Sequence, residues 1–179
     1  MRKMSYVKLS VITAACIALC VVFPMVFHAI PQAGFMLLPM HIPVLLCGLI
    51  AGWRFGLLCG MAGPLLSHLL TGMPGPVWLP SMIVELGAFG LIAGLLIDLL
   101  KTKNIYVDLY ISLAGAMLIG RVIAGISQAL IFSRGEYSIA MWTGAYFVAS
   151  FPGMIIQLAF LPSLVIALEA GRLIPKKYP

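Results

Sequence analysis

Polar residues along this chain are sparse and arrive in short clusters, and the stretches between them are almost wholly apolar. The first apolar stretch runs about Ser5–Phe27. A polar-and-proline interval, His28–Leu38, follows it, carrying Pro31, Gln32 and Gly34. The second stretch runs about Pro39–Trp53 and the third about Gly56–Leu70, which is short and glycine-rich. Thr71-Gly72-Met73-Pro74-Gly75-Pro76 then breaks the pattern. The fourth stretch runs about Trp78–Leu100, and Lys101-Thr102-Lys103-Asn104 forms a polar turn. The fifth runs about Tyr106–Phe132, Ser133-Arg134-Gly135-Glu136 separates it from the next, and the sixth runs about Ala140–Ala170. The first, fourth, fifth and sixth stretches have the length and apolarity of a membrane-crossing helix, roughly 20 residues for a 30 Å hydrocarbon core, and the second and third are shorter and broken. The pattern predicts an all-α integral membrane protein, a bundle of six transmembrane helices in one domain spanning residues 1–179. The sixth helix is expected to bend near Pro152-Gly153 and Pro162.

Composition sharpens this reading. Hydrophobic residues make up 63% of the chain and charged residues 9%, against about 25% charged in a soluble domain. So few charges do not cover a water-facing surface, so the outside of the fold faces lipid. Cys16, Cys20, Cys47 and Cys59 all lie in apolar runs, without the spacing of a disulfide framework or a metal cluster, and read as small packing residues. Arg2, Lys3 and Lys8 precede the first apolar run. That run is too long for a signal peptide and more spans follow, so an uncleaved first helix is expected.

Six spans sort the basic residues by side. Arg2, Lys3, Lys8, Arg54, Lys101, Lys103, Arg172, Lys176 and Lys177 fall on one face, Arg134 alone on the other, and Arg121 within the fifth span. The positive-inside bias puts both termini in the cytoplasm. The net charge of +6 is thereby a topological signal, and no nucleic-acid partner is expected. The outer intervals, nearly free of charge and rich in Pro and Gly, suit ordered lids over a site that opens outward.

The chemistry rests on a few residues. Glu85 lies about two turns below the outer end of the fourth span, and an ionisable group inside a membrane suggests function. Arg121 sits mid-span, and the two depths differ by about a turn and a half at ~5.4 Å per turn. They either neutralise each other or serve a ligand. His28, His41 and His68 sit near outer ends, where they suit helix-end hydrogen bonding, ligand contact or metal binding. Gln128 and Gln157 either bond across helices or hold a polar solute. Gly48, Gly52, Gly56, Gly60 and Gly63 recur near helical spacing, a close-packing pattern. No Gly-Lys-Ser/Thr phosphate loop follows any of them. ATP-driven activity would therefore need an ATPase on another subunit, and no cofactor is expected in this chain.

These residues resemble the substrate-binding S component of an energy-coupling factor (ECF) transporter. The resemblance rests on the length, the six apolar segments and the Ala14-x-x-x-Ala18 stripe of the first span. It rests also on the run Leu38–Gly48, and on Gly63–Pro74 followed by Pro80-Ser81-Met82-Ile83-Val84-Glu85-Leu86. It implies a subunit that captures a small water-soluble vitamin or precursor from outside. Such a subunit docks on a membrane coupling subunit carrying two ATPases, which use the ATP, and topples to release its ligand. Pantothenate, pyridoxine-like molecules, pyrimidines and cobalamin precursors are candidate substrates. By position, the resemblance nominates His28, Gln32, His41, His68, Met73, Trp78, Glu85, Arg121, Gln128, Arg134, Tyr146 and Gln157 for substrate, and Ala14 and Ala18 for docking. Met40-His41-Ile42-Pro43 echoes an N-terminal motif of nickel and cobalt members, but here it is internal and has no free amine, so no metal substrate is expected.

Two other function classes fit a polytopic chain. A self-sufficient secondary transporter would use Glu85 or Arg121 as a proton relay, but the halves 1–90 and 91–179 show no convincing inverted repeat. An intramembrane hydrolase would need Ser67 or Ser81 beside a histidine. Ser67 and His68 are neighbours that diverge by about 100° on a helix, and neither serine sits in Gly-x-Ser-x-Gly.

Overall fold

The computed structural model describes residues 4–27, 33–132 and 138–178, and among these no strand occurs. The helices are α1 (Tyr6–Phe27), α2 (Ala33–Leu37), α3 (His41–Ala51), α4 (Trp53–Thr71), α5 (Leu79–Leu99), α6 (Ile105–Ser127), α7 (Ile139–Thr143) and α8 (Phe151–Ala170). Two of them run on as wider π-helical turns: α6 through Gln128–Phe132 and α7 through Gly144–Ala149. Four helical stretches are long and apolar enough to cross a membrane: Tyr6–Phe27, Leu79–Leu99, Ile105–Ile131 and Phe151–Ala170. The 19 residues of α4 have the length, but Arg54, Pro64, His68 and three glycines dilute its apolarity.

Two segments differ from their sequence expectation. The second is only 11 residues of helix, about 16 Å at 1.5 Å per residue. It ends at Gly52, whose φ of 85° is one that residues with a Cβ rarely adopt. Helix resumes at once at Trp53 rather than at Gly56, so α3 and α4 meet at a one-residue joint. The sixth segment is divided: α7 and its π turn end before Ser150, and α8 begins at Phe151. Pro152, in the first turn of α8, lacks the N–H that would carry the preceding helix onward. Pro162 lies inside α8 without interrupting it.

Helix α5 is the centre of the bundle and packs on α3, α4 and α6. Glycine permits the approach. A Cβ on Gly48 would stand 2.6 Å from the Gly90 carbonyl oxygen, and one on Gly60 would stand 2.7 Å from the Gly87 nitrogen. Gly56 and Gly90 meet backbone to backbone, and Gly94 meets Gly52 and Trp53. Without a hydrophobic drive between helices in lipid, such backbone proximity is what holds them. Leu45, Leu49, Phe89, Leu109, Leu113 and Leu161 fill the space between α3, α5, α6 and α8. Leu69, Leu118, Ile126, Ile155 and Phe160 are exposed on the outside, an arrangement suited to lipid rather than water.

Helix α1 lies against α3 and α4. It buries Thr13, Cys16 and Cys20 and leaves Ala14, Ala15 and Ala18 exposed. All four cysteines are buried free thiols, in a core shared with Met40, Val44 and Leu86. They act as packing residues.

The C-terminal tail folds back under the bundle. Lys177 Nζ donates to the carbonyls of Ile97 (2.6 Å) and Leu100 (2.9 Å) at the end of α5, and to Asp108 Oδ2 in the first turn of α6. A cation there meets the carbonyl end of one helix dipole. Tyr178 donates its hydroxyl to the same carboxylate oxygen, and Thr102 donates to the other. The Lys177 N–H donates to Glu169 at the end of α8. One short segment thus ties α5, α6 and α8 together, and Asp108 is fully buried beneath it.

Candidate functional site

The polar interior gathers at the opposite end of the bundle, where α3, α5 and α8 begin. Leu38, with a φ of 50°, occupies a strained left-handed conformation for a residue with a Cβ. It turns the chain into α3, and its carbonyl accepts the His41 N–H (3.0 Å) and the Gln157 side-chain amide (3.5 Å). His41, the first residue of α3, places Nε2 3.3 Å from Glu85 Oε1. Its ring meets Phe89 edge-on at 4.9 Å, and Phe89 lies one turn beyond Glu85 on α5. Phe89 in turn sits on Gly120 of α6, where a Cβ would stand 2.7 Å from the ring. The next residue is Arg121.

Arg121 is 1% exposed. Its Nη1 donates to Met154 Sδ at 2.7 Å, and its guanidinium lies 5.4 Å from the Phe147 ring centre. Met154 and Gln157 are three apart on α8 and share a face. The contacts therefore close on themselves: Gln157, the Leu38 carbonyl, His41, Glu85 with Phe89, Gly120 with Arg121, Met154, and back to α8.

Two features set Arg121 in place. Trp142 Nε1 of α7 donates to the Arg121 carbonyl at 3.1 Å. It reaches that oxygen across Gly125, where a Cβ would stand 2.7 Å from the indole Cδ1. The π turn Gly144–Ala149 then brings Phe147 onto the guanidinium, with Trp142 packed edge-on against Phe147 at 5.2 Å. Such wide turns recur at functional sites because they re-aim side chains that an α-helix would send elsewhere.

This centre holds polar atoms without protein partners. His41 Nδ1, Arg121 Nε and Gln157 Oε1 are buried and make no hydrogen bond. Leaving a buried polar atom unmatched costs about 1–3 kcal/mol, so these three atoms hold unused hydrogen-bonding capacity. In the tautomer that carries its proton on Nε2 and donates it to Glu85, His41 Nδ1 is an acceptor. The centre then offers two acceptors, His41 Nδ1 and Gln157 Oε1, and one cationic donor.

Glu85 and Arg121 do not pair in contact. Among the described residues Lys177–Asp108 is an ion pair, and His41–Glu85 is a hydrogen-bonded contact. Glu85 and Tyr146 remain within electrostatic reach of Arg121. His68, half-buried at the end of α4, shares a 2.7 Å hydrogen bond between Nδ1 and the Pro74 carbonyl. With the Thr71 hydroxyl accepting the Met73 N–H, it orders the loop that carries Met73. Trp78, 54% exposed, caps the start of α5. Gln128 and Tyr146 lie half-buried on the two π turns. His28, Gln32 and Arg134 lie outside the described residues. No group of three or more potential metal ligands forms among the described residues. Leu38, Phe89, Met154 and Phe147 were missed by sequence reasoning. Phe89 and Met154 carry a signal, their one-turn spacing from Glu85 and Gln157, whereas Phe147 depends on the π turn. Beside this centre a mainly apolar 220 Å³ groove between α6 and α7 is lined by Val122, Gly125, Ile126, Ala129, Ile139 and Trp142, with Ser138.

A polytopic helical membrane protein with a buried, incompletely matched polar centre is the class that this architecture defines. Residues 8–166 match the family model for the substrate-specific component of ECF transporters. The chain belongs to that family, a family of transporter subunits rather than enzymes, whose members take a small-molecule substrate and work with an ECF module. No curated protein and no solved structure matches the chain.

Proposed function

We propose that this chain is the high-affinity substrate-binding subunit of an ECF-type importer for a small water-soluble vitamin or vitamin precursor. The observation that carries the reading is the closed ring of His41, Glu85, Arg121 and Gln157, whose orphaned polar atoms a solute of that size would satisfy. In this reading the chain crosses a bacterial plasma membrane six times with both termini in the cytoplasm, as its basic residues suggest. The ring then lies in the outer half of the membrane and the Lys177 clasp at the inner face. In that frame α2 is a lid: it packs on the start of α8, where a Cβ on Gly153 would stand 2.6 Å from the Met36 carbonyl oxygen. The loop ordered by His68 covers the neighbouring side with Met73 and Trp78.

Energy comes from outside the chain. Ala14 and Ala18 are exposed on α1, the helix that flanks the bundle without covering the polar centre. Small side chains there let a helix of the coupling subunit approach closely. Docking on that face leaves the ligand ring intact, and ATP hydrolysed by the partner ATPases drives release. Reconstitution into liposomes tests the division of labour. The chain alone is expected to bind substrate without accumulating it, and uptake is expected to require the coupling subunit and both ATPases. Accumulation by the chain alone would point instead to a secondary transporter.

A further inference from the structure

Arg121 raises a question of substrate class. It is a cation 1% exposed in the middle of a membrane-spanning helix, and a buried charge needs a counter-charge or it is strongly destabilising. Yet among the described residues no carboxylate touches it. Glu85 lies within electrostatic reach of Arg121, but its hydrogen bond goes to His41 and not to the guanidinium. The groups in contact with the guanidinium are a thioether and an aromatic face. Both tolerate a cation without neutralising it. Arg121 Nε has no partner, and a guanidinium pairs with carboxylates through two parallel N–H donors. The fold also invests in holding this residue still, through the Trp142 bond to its carbonyl and the π turn that seats Phe147.

We infer that Arg121 is the anion clamp of the binding centre and that the substrate is a monocarboxylate or similar small anion. Its acid group lies on the guanidinium, and its hydrogen-bond donors, hydroxyl, amide N–H or amine, face His41 Nδ1 and Gln157 Oε1. This rests on the binding-subunit reading and narrows it. Among water-soluble vitamins and precursors it favours acids over neutral or purely cationic ones. It also assigns the two ends of the ring opposite tasks: Arg121 takes charge, and His41 with Gln157 reads donors. Glu85 orients His41 and disfavours a second anionic group at that end.

The test uses purified full-length protein in detergent and matched acid and neutral probes: pantothenate with panthenol, nicotinate with nicotinamide, biotin with biotin amide. Alongside them runs the compound extracted from the protein itself, identified by mass spectrometry, with its methyl ester. Thermal stabilisation and ligand-induced tryptophan fluorescence are read for wild type, Arg121→Gln and Arg121→Lys. The expected result is that every compound that binds is an acid, and that its neutral partner binds about 10- to 150-fold more weakly, the range for one charge-assisted hydrogen bond. Arg121→Lys, which keeps the charge and guards against misfolding of the glutamine variant, is expected to retain the preference at reduced affinity. In Arg121→Gln the preference is expected to disappear. Equal binding of acid and neutral partners, a neutral or cationic extracted compound, or an acid preference that survives in Arg121→Gln would overturn the inference while leaving a binding subunit in place. A protein that carries no compound and responds to none would overturn the binding-subunit reading beneath it.

Discussion

Glu85 is 8% exposed, and it bonds to an imidazole whose other nitrogen is unmatched. A carboxylate so placed either orients His41 toward a ligand or merely satisfies it. The two roles separate on substitution. Glu85→Gln keeps the size and can still bond His41, so the fold survives. It removes the charge that fixes the His41 tautomer, and ligand binding is expected to weaken by about 1.5–3 kcal/mol, the scale of a hydrogen bond to a charged group. Titration calorimetry on the folded variant checks this, and unchanged affinity would make Glu85 structural. Sequence reasoning reached Glu85 and Arg121 because ionisable groups in apolar runs are conspicuous. It left open whether they pair, since His41 is 44 positions from Glu85 and Met154 is 33 from Arg121. No local period links such positions. Sequence reasoning counted Lys177 only among the basic residues of one face and did not single out Asp108. Near a helix end they read as ordinary interfacial charges, and only the tail's return brings them together.

At the scale of elements, the apolar runs predicted the long helices well because hydrophobic length is what the membrane selects. The glycine spacing likewise anticipated the seam among α3, α4 and α5. What the runs concealed were the interruptions: the joint at Gly52, the division at Ser150 and the two π turns. Each is set by backbone geometry that composition barely marks. Two of these elements make predictions. Lys177→Ala removes the donor that binds Asp108 and the last carbonyls of α5. Thr102 and Tyr178 still donate to the carboxylate, so the loss is expected at about 1–3 kcal/mol rather than the roughly 3–5 kcal/mol of a buried charge stripped of its partner. Thermal unfolding in detergent should show Lys177→Ala below wild type, with Tyr178→Phe affected less. Equal stability of all three would mean the clasp contributes nothing. Gly153→Val drives a side chain into the backbone of α2 at Met36 and Leu37. If α2 is the lid, dissociation of ligand in stopped-flow should be several-fold faster with association little changed. An unaltered off-rate would remove α2 from that role.

The molecule as a whole divides into a buried polar ring at one end, a clasp at the other and a flanking helix whose small residues face outward. That division predicts separable failures. Ala14→Trp or Ala18→Trp places an indole on the exposed side of α1, away from the ring. Uptake in cells carrying the coupling module should be lost, while binding by the purified variant stays at the wild-type level. A folded variant that no longer binds would refute the separation. The central claim is that this chain by itself holds a small solute. Native mass spectrometry of the protein expressed in rich medium and released gently from detergent tests it most directly. The account predicts an added mass of a few hundred daltons or less that is lost on collisional activation, and that is depleted in Glu85→Gln. A wild-type protein that flies with no added mass, and takes up none when mixed with a vitamin panel before spraying, would contradict it.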